Sequence, residues 1–145
     1  MESKAGVLAI DHGTKRVGFA VVDGMRIAAH ALEAWRGAGG EEGLVRHIAA
    51  LLSEREVSVL LIGLPLDMDG GEGARAAEVR AFGMRLAARF SKLEIVFHDE
   101  RLTTKAAEEL LREMGIKPSD RRTLKDSFSA LVILRDWLES GEPRR

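Results

Sequence analysis

Val7-Leu8-Ala9-Ile10-Asp11-His12-Gly13-Thr14-Lys15-Arg16-Val17-Gly18-Phe19-Ala20-Val21-Val22 is a pair of apolar runs divided by one polar turn. Val7 to Ile10 reads as a short buried strand ending at Asp11, His12 to Arg16 as the turn, and Val17 to Val22 as a second strand. Asp23-Gly24 follows at once, a dipeptide that tolerates the positive φ angles of a tight hairpin. A third strand is therefore expected from Met25 to about Ala34, with Ile27, Ala29, Ala31 and Glu33 on one side.

Beyond the hairpins the pattern changes period. After a glycine-rich loop, Leu44, Ile48, Leu51 and Leu52 recur at helical spacing. Val57 to Ile62 is almost continuously apolar, as suits a central parallel strand covered on both faces. Pro65 to Gly73 is a second loop, and after it Val79, Phe82, Leu86 and Phe90 line one face of a helix. Leu93 to His98 is a further strand, ending at Asp99-Glu100. Ala106, Ala107, Leu110, Leu111 and Met114 mark a helix capped by Thr103 or Thr104 and stopped by Gly115. A last, largely buried helix is expected from some point after Pro118 to about Glu139. The order is β-β-β-α-β-α-β-α-α, an α/β pattern in one domain over residues 1–140, with 141–145 as a flexible tail.

The composition agrees with one folded unit. At 145 residues, 46% hydrophobic and 31% charged, the chain has enough apolar surface to stand without a staple. With no cysteine, disulfides, thiolate metal sites and a cysteine nucleophile are excluded. The apolar positions before Asp11 are too few for a signal-peptide core, and no run reaches the roughly 18 residues of a membrane span. The expectation is a soluble, cytoplasmic protein. Net charge is −1, so any electrostatic signal lies in its distribution. Arg75, Arg80, Arg85, Arg89 and Lys92 face only Glu78 within their stretch, and Lys117, Arg121, Arg122 and Lys125 outnumber Asp120 and Asp126. Glu41, Glu42, Glu54 and Glu56 reverse the sign over residues 41–56, so a polarised surface is expected.

Three carboxylates stand out. Asp11 follows a buried strand, where a charge is costly unless paired, hydrogen-bonded or holding a cation; its simpler role is an Asx-turn residue. Asp99-Glu100 also follow a strand, and ligands in α/β sheets bind at the carboxyl ends of strands. If the first and fifth strands run the same way, Asp11 and Glu100 meet. The alternative is a polar loop, or pairing with Arg101. Asp126 lies among apolar residues from Leu124 to Leu134, with helix capping as its ordinary explanation. Such oxygen ligands suit two Mg²⁺ or Mn²⁺ ions, which can clamp both oxygens of a phosphodiester displacement. The four histidines show no ligand spacing, and neither a Gly-x-Ser-x-Gly elbow nor a Walker A sequence is present. With no tyrosine and 5% aromatics, phosphate contact by arginine and lysine fits nucleic acid better than base stacking does.

Four blocks carry a resemblance. Asp11-His12-Gly13-Thr14-Lys15-Arg16-Val17-Gly18-Phe19-Ala20 resembles the opening motif of the bacterial YqgF family, also called RuvX-like. Gly63-Leu64-Pro65 with Asp69-Gly70-Gly71-Glu72-Gly73 resembles its middle loop. Asp99-Glu100-Arg101-Leu102-Thr103-Thr104 resembles its most recognisable signature, and Lys125-Asp126-Ser127-Phe128-Ser129-Ala130 its last block. The resemblance spans essentially the whole chain in the family's order. It implies a ribonuclease H-like fold, a mixed five-stranded sheet with its first three strands antiparallel and helices on both faces. It implies a metal-dependent nuclease, thought to process the 5′ end of the 16S ribosomal RNA precursor; members were earlier proposed as Holliday-junction resolvases from their similarity to RuvC. Asp11, Glu100 and Asp126 would be the catalytic, metal-binding carboxylates, with Asp99 a further metal ligand. Lys15, Arg16, Arg75 and Arg101 would face the nucleic-acid backbone, and the basic flank of the 75–92 helix would steer the substrate. Related resolvases place an acid at the end of the fourth strand, where this chain reads Gly63-Leu64-Pro65, with Asp67 and Asp69 in the loop beyond. An incomplete four-acid cluster is thus expected, with catalysis slow or partner-dependent.

The implied partners are pre-rRNA or branched DNA, with ribosomal precursor particles, no membrane, and a monomer or homodimer. Two rivals stand beside the nuclease. Asp11-His12-Gly13-Thr14 also resembles the first phosphate loop of actin and Hsp70-type ATPases, which need two such halves and a second glycine-rich loop. A noncatalytic RNA-binding module for ribosome assembly would suit the low net charge and the absent fourth acid.

Overall fold

The computed structural model describes residues 5–37, 39–101, 103–115 and 118–144, with side chains described outside 103–105, 107–108 and 118–126. Its elements are β1 (Gly6–His12), β2 (Val17–Val22), β3 (Ala29–Trp35), α1 (Gly40–Ser53), β4 (Val57–Leu64), α2 (Ala74–Arg89), β5 (Glu94–Asp99), α3 (Thr103–Glu113) and α4 (Pro118–Glu139). The sheet order is β3-β2-β1-β4-β5. β1 pairs antiparallel with β2, and β2 with β3, while β1–β4 and β4–β5 are parallel. The carboxyl ends of β1, β4 and β5 therefore share one edge of the sheet.

Strand alternation divides the core in two. Val7 and Ala9 of β1 join Leu61, Val96, Leu111, Ile133 and Trp137 on the face covered by α4 and α3. Leu8 and Ile10 join Ile48, Leu60, Ile62, Phe82 and Leu86 on the face covered by α1 and α2. β4 is buried on both faces, the reason its sequence is a continuous apolar run. α3 ends before Gly115, whose φ of 73° lets its N–H return to the Arg112 carbonyl. The Thr103 and Thr104 side chains lie outside the described residues.

One expectation is corrected. The third strand begins at Ala29, not Met25, and Met25 and Ile27 are 77% and 73% exposed. The hairpin turn takes up the difference: Asp23 accepts the Arg26 N–H through its carbonyl and the Ile27 N–H through its carboxylate, with Arg26 at a φ of 60°. Residues 142–144, within the expected tail, make contacts of their own. Glu142 receives a two-pronged ion pair from Arg26, Arg144 pairs with Glu94, and the Trp137 indole N–H donates to the Pro143 carbonyl.

Leu61 is fully buried at the centre of β4. Leu61→Ala should cost about 2–5 kcal/mol, read from the denaturant midpoint at unchanged slope.

Candidate active site

The site grows from the strand order. Ile10 lies opposite Ile62 on β4, and Leu64 opposite Asp99 on β5, so Gly63 stands between the ends of β1 and β5. Alternation puts Asp11 on the α4 face with Val7 and Ala9. The Glu100 N–H bonds to the Leu64 carbonyl, fixing the backbone as it leaves β5, and the Glu100 side chain turns back over Gly63. A Cβ at residue 63 would stand 2.7 Å from Glu100 Oε2 and 2.5 Å from Ile133 Cδ1. The bare glycine is thus the space in which the Glu100 carboxyl rests. The position where related resolvases are expected to carry an acid is filled from the neighbouring strand.

Asp11 and Glu100 are hydrogen-bonded to each other, and Glu100 is pushed up to about 8. Burial is the main cause, followed by the negative charge of Asp11 and the hydrogen bond with it; the Arg75 guanidinium opposes the rise. Two carboxyls held this close share a proton near neutrality unless a cation replaces it. That is the observation a hard divalent cation fits: two carboxyl groups, half-buried, whose charges lack compensation from one another.

The other expected ligands fare differently. Asp99 points to the α2 face, where its carboxylate accepts the Arg101 backbone N–H at 2.9 Å and the Arg101 guanidinium at 2.7–2.8 Å. Burial would raise its pKa, but the bonds from Arg101 outweigh it and hold the carboxyl below the usual range. The structure does not bring Asp99 to the Asp11–Glu100 pair. Asp126 lies in α4, the helix that also carries Ile133 against Gly63, and its side chain is outside the described residues. Among the described residues no group of three histidine, aspartate or glutamate side chains stands ready to hold a metal ion. Asp69 closes the middle loop by accepting the Gly71 N–H at 2.8 Å.

Of the expected backbone-binding cations, Lys15 and Arg16 are exposed on the β1–β2 turn. Arg75 donates to the His12 carbonyl, pairs with Glu78 at 2.9 Å, and its charge reaches Glu100. Arg101 is committed to Asp99 and the Met68 carbonyl, and holds the loop rather than Glu100. The expected basic flank of α2 is corrected. Arg80 is paired with Glu72 of the loop before α2, and Arg85 and Arg89 with Glu41 and Glu42 in the first turn of α1. Glu41, Glu42, Glu72 and Glu78 thus offset much of the positive charge of the α2 stretch. The basic cluster at Lys117, Arg121, Arg122 and Lys125 lies outside the described residues. His12 stacks on Phe82 on the opposite face from Asp11, and burial, then Arg75, lower its pKa. His98 pairs with Asp136 of α4. The sequence marks Gly63 only as a place where an acid is absent, and its Cβ-free space for Glu100 shows only in the fold; Trp35 carries no signal in the sequence.

A raised carboxyl pKa stabilises the fold fully below its unfolded value near 4.5 and loses that contribution as pH rises through about 8. In EDTA, the thermal midpoint should therefore fall between about pH 5 and 8. Glu100→Gln should flatten that slope, and Mn²⁺ should remove it in the unmutated chain alone. Gly63→Ala should displace Glu100 and weaken this Mn²⁺ response, read as a smaller metal-induced rise in the midpoint.

The chain matches, over residues 5–140, the family described as "RuvX: Holliday junction resolvase". It is 39% identical to a protein of Halalkalibacterium halodurans over 91% of its own length and 94% of that protein's. A relative from Anaeromyxobacter sp. (strain Fw109-5) is 42% identical, with 91% and 95% covered. Both carry the name "Putative pre-16S rRNA nuclease". Among solved structures, T. thermophilus RuvC in complex with Holliday junction substrate superposes with a TM-score of 0.58 at 18% identity, over 96% of this chain and 98% of that one. A second Thermus thermophilus RuvC structure gives 0.55 at 15% identity, over the same shares of both chains. That likeness is one of fold, the ribonuclease H-like α/β architecture expected from the sequence. With the family matched over nearly its whole length and relatives this similar, the chain belongs to the RuvX family.

Proposed function

We propose that this protein is a divalent-cation-dependent endonuclease that hydrolyses phosphodiesters of pre-16S rRNA near its 5′ end, in the cytoplasm, during ribosome assembly. The observation that carries the chemistry is the Asp11–Glu100 pair, two carboxyls held together over Gly63 at the carboxyl ends of parallel strands. The names of the relatives support the substrate. Asp11, Glu100 and Asp126 would hold Mg²⁺ or Mn²⁺, an oxygen donor set suited to hard cations. Such ions, two in the arrangement proposed, would supply an activated water and neutralise the charge building on the phosphate. Asp11, at a strand end anchored by both neighbours, orients that assembly. Glu100, whose pKa is raised by burial and by Asp11, would be deprotonated where it holds such an ion, with the positive charge of Arg75 beside it. Lys15 and Arg16 on the turn meet the phosphate backbone.

The family's description favours a second reading, resolution of four-way DNA junctions, which would require two copies of the site and hence a homodimer. One experiment separates the readings. Precursor 5′-leader RNA, single-stranded DNA and a synthetic four-way junction are each incubated with Mn²⁺, Mg²⁺ or EDTA. Metal-dependent cutting of the RNA, lost by at least about 100-fold in a folded Asp11→Asn variant, is expected for a residue of this role. Paired symmetric nicks in the junction would establish the resolvase. Binding of RNA without cutting, unchanged in Asp11→Asn, would leave a noncatalytic assembly module.

A further inference from the structure

Across the end of β1 from the carboxyl pair lies a cleft of about 370 Å³, within the roughly 300–1,000 Å³ range of ligand sites. Gly13, Thr14 and Lys15 of the β1–β2 turn form one wall, Trp35 at the end of β3 another, and Gly40 and Arg75 in the first turns of α1 and α2 the rest. Neither helix has a side-chain cap on its N-terminal N–H groups.

Trp35 is the unusual member. The chain has two tryptophans, and the other behaves as a core residue: Trp137 is fully buried, donates its N–H to Pro143 and lies beneath the Arg144 guanidinium. Trp35 is only half-buried: it packs in part against the core on the α1/α2 face and otherwise lines the cleft, and among the described residues its indole makes no hydrogen bond and no ring contact. The charges there are unevenly answered. Glu41 is paired with Arg85, and Glu78 with Arg75, whereas Lys15 is exposed and forms no ion pair among the described residues. Arg75 connects this cleft to the carboxyl pair, since it binds the His12 carbonyl on one side and its charge reaches Glu100 on the other.

We infer that this cleft is a nucleotide subsite: it takes one nucleotide flanking the scissile phosphate, with the base stacked on Trp35 and a phosphate against Lys15. The assignment rests on the nuclease reading, which brings a nucleic-acid strand to Asp11 and Glu100. An aromatic face accepts any base, so the subsite grips the strand without reading its sequence.

The test uses the full chain in EDTA, where chemistry is absent. A single-stranded eight-nucleotide RNA is titrated while tryptophan emission is followed, and affinity is measured separately by anisotropy of the labelled oligonucleotide. Quenching is expected in the unmutated chain and should vanish in Trp35→Phe, which keeps only the sealed Trp137. Trp35→Leu should weaken binding about tenfold. Lys15→Ala, on an exposed turn, should weaken binding and lower the salt dependence by about one ion. Emission unchanged at saturation, or affinities of both variants within about twofold of the unmutated chain, would overturn the subsite. ATP quenching Trp35 at the oligonucleotide's own affinity would also overturn it, in favour of a free-nucleotide site. The nuclease reading is scored apart, by Mn²⁺-dependent cutting against Asp11→Asn. Trp35 quenching without cutting keeps the subsite and removes the chemistry; cutting without quenching does the reverse.

Discussion

Two carboxyls forced together at the edge of a sheet are the constraint around which this protein is arranged. Glu100 cannot ionise freely here: burial raises its pKa first, and the negative charge of Asp11 and the hydrogen bond with it raise it further. The fold accepts it because three strand ends are fixed by the parallel pairing of β1, β4 and β5, each anchored in a core packed on both faces. The middle strand contributes by offering nothing: Gly63 leaves open the volume into which Glu100 folds back. A side chain there would collide with Glu100 and also with Ile133 of α4. In the proposed function that same conflict is the affinity for a divalent cation, which relieves it.

Outside this pair the charges are managed in the opposite way. Every arginine of α2 has a glutamate partner, and three of those glutamates come from elsewhere in the chain. Such exposed pairs contribute little stability each. Their larger consequence is to remove the positive flank that the sequence of α2 advertises. Near the site, Lys15 and Arg16 are exposed on the β1–β2 turn, and the charge of Arg75 reaches Glu100 although Arg75 is paired with Glu78.

Asp99 and Glu100 show how adjacent residues of one type part company. Leaving β5, they point to opposite faces of the sheet, and their surroundings shift their pKa values in opposite directions. Asp99 is bound by Arg101 and ties the strand end to the middle loop through Met68. Glu100 is left against another carboxyl. Linear proximity made the two look equivalent as ligands; the pleat of the strand distinguishes them.

The element order, the central place of β4, the helix stop at Gly115 and the candidacy of Asp11 and Glu100 were all legible in the sequence, because each depends on local period or on a polar residue ending an apolar run. The RuvX-like motifs pointed the same way. Tertiary structure alone decided four other things. The strand start at Ala29 depends on how the Asp23–Arg26 turn closes. The neutral flank of α2 depends on α1 lying beside it. The Asp11–Glu100 contact over Gly63 depends on strands far apart in sequence becoming neighbours, and the half-buried Trp35 near Lys15 on how the β2–β3 hairpin packs. Local patterns encode which residues are apolar and where the chain turns. Which charge meets which is set only when the sheet closes its order, since electrostatic and steric terms act through space and not along the chain.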